Sequence, residues 1–103
     1  MANKLEKSVR DPSVRDAKRH GVVYKRMHFG HGAETGWPDD LFVFLDGHHW
    51  WVEFKAPGKP PEPKQEHVHE EMRKTSMDVS VIDGYNEFCE AFVLRVQAHG
   101  SLC

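Results

Sequence analysis

Apolar and polar positions fall into short blocks along the chain, and each block predicts one element. Leu5 to His20 has helical spacing, but Asp11-Pro12 interrupts it, because proline suits a first helical turn and Asp a helix N-cap. A helix broken or restarted at Pro12 is therefore expected. "GVVYKRMHF" from Gly21 is β-branched and aromatic, which predicts a strand, and "HGAETG" after it predicts a loop. Two apolar runs, Leu41–Leu45 and Trp50–Lys55, flank "DGHH", whose Asp46-Gly47 signals a β-hairpin. After Pro61 and Pro63, "KQEHVHEEMRK" sets Gln65, Val68 and Met72 on one side of a helix, so Gln65 should face the sheet. "MDVSVI" from Met77 is a short strand, reached through that helix by a right-handed parallel crossover. A last helix, Tyr85–Gln97, should bury Tyr85, Phe88, Cys89, Phe92 and Val96. The order is helix, three strands, helix, strand, helix.

Both faces of the hairpin carry apolar residues: Leu41, Val43 and Trp51 on one, Phe42, Phe44, Trp50, Val52 and Phe54 on the other. A sheet apolar on both sides needs helices front and back, which makes this an α/β fold with a mixed central sheet. The hairpin also sets carboxylates near a core. An odd connection, such as Asp46-Gly47-His48, pairs Asp39 with Lys55 and puts Asp39 on the face of Glu53. A two-residue turn sets Asp40 opposite Glu53 instead. Either register brings an acid beside Glu53 and Lys55.

Composition narrows the setting. The chain has 103 residues and is expected to be one domain, 1–103, burying roughly two thirds of its unfolded surface. It is 39% hydrophobic and 29% charged, with no apolar run near the ~18 residues of a membrane span and no signal-peptide core at its start. A cytoplasmic protein without membrane attachment is the expectation. Cys89 and Cys103 build no disulfide framework and no C-x-x-C pair. His67 and His69 point to different sides of a helix, "HVHEEM" is not H-E-x-x-H, and most of the eight histidines read as solvated. Charge is uneven although the net is only -2: residues 1–26 hold eight basic against three acidic side chains, so the acids concentrate in the remainder. One face can meet phosphates while another gathers carboxylates.

Two carboxylates on one face, with a backbone carbonyl between Glu53 and Lys55, form an oxygen-rich site suited to Mg²⁺ or Mn²⁺ and poor for zinc. Lys55 beside it can orient water or offset charge developing on a phosphate. Gly36-Trp37-Pro38-Asp39, Glu53-Phe54-Lys55-Ala56-Pro57-Gly58-Lys59 and Gln65 together resemble the PD-(D/E)XK nucleases and, within them, the VRR-NUC family. The resemblance runs from about Glu6 to Phe92. It implies a restriction-endonuclease-like core and metal-dependent cleavage of DNA. For free-standing phage and bacterial members it implies a homodimer that cuts branched DNA such as Holliday junctions, in a bacterial or phage-infected cell. By the same resemblance Asp39 and Glu53, with the Phe54 carbonyl, hold the metal. Lys55 is the catalytic lysine, Gln65 the glutamine of the following helix, and Glu6 the acid of the first helix. Lys7, Arg10, Lys25, Arg26, Lys59 and Lys64 are candidate DNA contacts. The Asp11-Pro12 pair departs from the pattern, as does Asp40, where many members carry a basic or neutral residue.

Two function classes follow: a structure-selective DNA endonuclease, or a catalytically silent nuclease-fold module that binds DNA or a protein partner. An intact Asp/Glu/Lys set favours the enzyme, since a binding module has no need of three mutually constraining charges.

Overall fold

The computed structural model describes residues 4–27 and 36–102. Its elements are α1 (Lys4–Arg19), β1 (Val23–Arg26), β2 (Asp40–Val43), β3 (His49–Phe54), α2 (Pro63–Lys74), β4 (Asp78–Ile82) and α3 (Tyr85–His99). This is the order expected from the hydrophobic pattern. The strands lie β1-β2-β3-β4, antiparallel up to β3, and β4 runs parallel to β3. Most of the predicted loop, and the His28-Phe29 end of the predicted first strand, fall outside the described residues.

Alternation along β2 and β3 divides the core in two. Phe42, Trp50, Val52 and Phe54 face α1 and α3, where they pack with Phe88 and Phe92. Trp51 and Val79 face α2 and pack with Val68 and Met72. Helices therefore cover both faces. Trp50 is wholly buried within the one chain, and Trp37 stands edge-on to Trp51 at 5.7 Å. Among the described residues no helix is long and apolar enough to cross a membrane.

Three sequence expectations are corrected. First, α1 does not break: Pro12 lies inside one continuous helix. Val9, Ser13 and Ala17 recur every fourth residue on its buried face, and this packing outweighs the hydrogen bond that proline forfeits. Small side chains at 13 and 17 let the helix lie close, and the Ser13 hydroxyl donates to the Val9 carbonyl at 2.7 Å. Second, Tyr85 is 39% exposed rather than core, because it opens α3 and turns its hydroxyl out to Asp16. Third, the hairpin turns one residue earlier than Asp46-Gly47-His48. Phe44 N–H donates to the His48 carbonyl at 2.9 Å, leaving Leu45-Asp46-Gly47 as the connection. Gly47 has φ +89°, which glycine adopts without strain, and Asp46 accepts from the His48 amide at 2.9 Å.

Continuity of α1 makes Pro12 a test. Pro12→Ala should restore a helical N–H and raise stability by about 1–3 kcal/mol, measured by urea unfolding. A neutral or destabilising result would mean that the helix restarts at Pro12.

Candidate active site

The site is assembled at one end of the sheet by the hairpin register. Asp40 pairs with Val52, so the next position sets Asp39 across from Glu53 on the α2 face. The connection is odd, as one of the two expected registers required, but Asp39 faces Glu53 rather than Lys55. Asp39 is tied into the sheet through its carbonyl, which accepts from Met27 N–H at 2.6 Å. The turn leading to it needs glycine: Gly36 has φ +95°, and a Cβ there would lie 3.0 Å from the Lys64 carbonyl oxygen. Lys55 follows β3 directly, held by its N–H to the Ile82 carbonyl at 2.9 Å.

Glu53 is 6% exposed. Its Oε2 lies 4.0 Å from Lys55 Nζ, and its Oε1 is buried without a hydrogen-bond partner among the described residues. Burial, and then the charge of Asp39, push the Glu53 carboxyl up to about 8; Lys55 pulls the other way, and Asp40 and Glu6 add smaller repulsions. The protein alone therefore keeps this acid protonated at neutral pH.

Glu6 belongs to the same electrostatic cluster. It is oriented by Arg10, whose Nη2 donates to Glu6 Oε2 at 2.6 Å. Arg10 Nε stands 3.6 Å from Asp40 Oδ1, and its guanidinium lies 5.9 Å over the Phe54 ring. Asp40, 1% exposed, also accepts from the Tyr24 hydroxyl. Burial raises the Asp40 carboxyl, opposed by Tyr24, Arg10 and Arg26. Asp40 thus lies on the α1 side of the sheet, away from the Asp39/Glu53 face, as a buried anchor for Arg10.

That placement corrects one candidate DNA contact: Arg10 is buried and engaged with two carboxylates. Lys7, Lys25, Lys59 and Lys64 are exposed, and Arg26 partly so. Lys25 pairs with Leu41 and so shares the Glu53 face, whereas Arg26 pairs with Asp40. Gln65 is only half-buried, and its side-chain carbonyl accepts the Glu62 N–H at 2.9 Å, closing a capping box at the start of α2. Its sequence position on the sheet side of α2 therefore leads to a structural contact. A residue missed from sequence is His69: it is 1% exposed on α2, with Nε2 lacking a partner among the described residues. Burial, then Arg73 and Lys55, hold its pKa down, so α2 lays an uncharged ring on the side of the sheet that carries Lys55. A hollow of about 580 Å³ beside Trp37, Val68 and Met72 is lined by none of these groups.

Could these residues hold a cation? Among the described residues no three His, Cys, Asp or Glu side chains converge to form a cage. Two carboxylates, one with an orphaned buried oxygen, together with a backbone carbonyl and water, nonetheless suit a hard ion that retains part of its hydration. The donors fit Mg²⁺ or Mn²⁺.

No protein-family model matches the chain, and no curated protein does. Among solved structures it is similar to a VRR_NUC domain, with TM-score 0.80 and 24% identity, over 86% of this chain and 95% of that one. The chain thus has the fold of a VRR_NUC domain, with a buried Glu53, a partly buried Asp39 and a lysine at one sheet end.

The raised Glu53 carboxyl predicts a pH dependence. A native acid that holds its proton more tightly than the unfolded chain does stabilises at low pH, and that stability is lost as pH rises through the window up to about 8. In EDTA, thermal unfolding of the wild type should therefore fall between pH 5 and about 8, while Glu53→Gln should be flatter. Parallel profiles would contradict the buried, protonated state.

Proposed function

We propose that this chain is a Mg²⁺- or Mn²⁺-dependent endodeoxyribonuclease of the VRR-NUC family, within the PD-(D/E)XK nucleases, acting as a homodimer on branched DNA such as Holliday junctions. The observation that carries the reading is the buried Glu53 carboxyl, with one oxygen unpartnered among the described residues, set against Asp39 and 4.0 Å from Lys55 Nζ. A structural role would not need an acid held at such cost.

In this reading Asp39, Glu53 and the Phe54 carbonyl would hold the cation, whose chemistry is charge neutralisation and acidification of bound water. Lys55 orients the attacking water or balances charge on the scissile phosphate. Water oxygen bonds to phosphorus, one P–O ester bond breaks, and the departing oxygen takes up a proton. Glu6, held by Arg10, tunes the acids. Lys7, Lys25, Arg26, Lys59 and Lys64 bind the DNA backbone, and Gln65 positions the start of α2 beside the site. A four-way junction has approximate two-fold symmetry and needs two cuts, whereas one chain has one Asp39/Glu53/Lys55 set. A two-fold dimer supplies both.

A labelled four-way junction incubated with protein and Mg²⁺ tests this: paired nicks that disappear in EDTA are expected. Retained junction binding without cleavage in any divalent cation would make the chain a binding module. Glu53→Gln and Asp39→Asn should each abolish cleavage with the fold intact, whereas Lys55→Ala should lose several orders of magnitude in rate with metal affinity largely kept. Asp40→Asn should cost much less than Asp39→Asn, since Asp40 faces Arg10 and Tyr24. Near wild-type cutting by Glu53→Gln would remove the metal-site assignment.

A further inference from the structure

The basic residues of the N-terminal third are not spread around α1. Lys7, Arg15 and Lys18 stand along one side of the helix and meet Arg26 of β1 across a groove of about 540 Å³. Its floor is made by Arg10, Val14 and Tyr24. Arg10 and Tyr24 are the two residues that converge on Asp40, and Arg10 also holds Glu6, whose charge reaches Glu53. At one end of the groove Lys7 and Arg10 thus stand beside Glu6, the acid of α1 whose charge reaches Glu53, although Asp40 and Arg26 lie on the sheet face opposite Asp39 and Glu53. At the other, Lys18 Nζ sits 5.9 Å over the Tyr24 ring, which places its charge above the groove. Arg19, the neighbouring cation, is instead paired with Asp16 at 3.5 Å.

Resting on the nuclease reading, we infer that this groove is the exit track for one phosphodiester strand of the substrate, leading away from the cleavage site along α1. Three observations favour a strand over a small anion. The cations form a row instead of a cage. From Lys7 to Lys18 the helix rises about 16 Å, which spans four or five nucleotides at the ~3.4 Å axial spacing of a B-form strand. And the floor is already occupied: Arg10 is engaged with Glu6 and Asp40, so the exposed rim cations are left for a ligand lying along the groove. A whole duplex is about as wide as a small domain and would rest on the rim with one backbone inserted; a single-stranded arm would enter alone. The groove reads phosphates, so it confers polarity and register on the substrate without base specificity. Asp11 also lines it and opposes the ligand.

Salt dependence of binding tests the track, because each phosphate contact contributes roughly 0.7–0.9 to the slope of log K against log salt. Glu53→Gln is the parent, so that binding is measured without cleavage, using a labelled junction and a single-stranded oligonucleotide. Adding Lys7→Gln, Arg15→Gln and Lys18→Gln should lower the slope by about 2–3 and weaken affinity at least tenfold at 0.1 M salt. Lys18→Gln alone should lower it by about one contact, and Asp11→Asn should tighten binding severalfold. Lys74→Gln, on α2 across the sheet, is the control and should leave the slope unchanged. A triple variant with the parent's slope, or a Lys74→Gln effect equal to that of Lys18→Gln, would overturn the track while leaving the nuclease reading intact. A parent that binds neither probe would overturn that reading itself. Circular dichroism of the variants should match the parent, since the three replaced side chains are exposed.

Discussion

Glu53 and Asp39 face one another across the β2–β3 ladder, and the first of them is largely withdrawn from water. At 4.0 Å a lysine offers a carboxylate about 4 kcal/mol at an effective dielectric of 20. Burial of an ion costs several kcal/mol even after relaxation. The raised Glu53 carboxyl shows that burial and Asp39 outweigh Lys55. Much of the local architecture serves to keep the pair together despite this. The three-residue hairpin connection sets the register, Gly36 lets the Trp37-Pro38 turn lie against α2, and β4 secures Lys55 through its main chain.

A second buried acid, Asp40, does opposite work one residue away. Adjacent strand positions point to opposite faces, so Asp39 looks towards the α2 side while Asp40 looks towards α1. There it is satisfied by Tyr24 and flanked by Arg10, which carries Glu6. One strand thus fixes both the open acid and the anchor that orients the first helix. The continuity of α1 through Pro12 is what brings Arg10, Val14 and Lys18 into line along β1.

The element order was legible because each block of the chain has a clear period: two in the strands, near four in the helices. That Glu53 and Lys55 share one face was legible for the same reason, since alternate strand residues point the same way; hairpin parity left Asp39 and Asp40 as alternatives beside them, and only the family resemblance pointed to Asp39. The turn position was not, because Asp-Gly suits several connections and only the ladder distinguishes Leu45-Asp46-Gly47 from its neighbour. The helix break at Pro12 was misread because local preference was weighed without the burial of Val9, Ser13 and Ala17. Glu6 and Arg10, four residues apart, carried a signal of pairing. Their link to Asp40 and Tyr24 depends on how β1 registers with β2 across a long connection, which local pattern does not encode. His69 was hidden by its polar neighbours His67 and Glu70: only the placement of α2 against the sheet shows which of them is buried.

If the acid pair exists to receive a divalent cation, binding must expel the proton that burial keeps on Glu53. Calorimetric titration of Mn²⁺ or Mg²⁺ into the protein at pH 7, repeated in buffers of different ionisation enthalpy, measures that proton directly. With the Glu53 carboxyl at about 8, close to one proton should be released per chain in the wild type, and none, with much weaker binding, in Glu53→Gln. Binding of equal strength in both proteins, without proton release, would contradict the account.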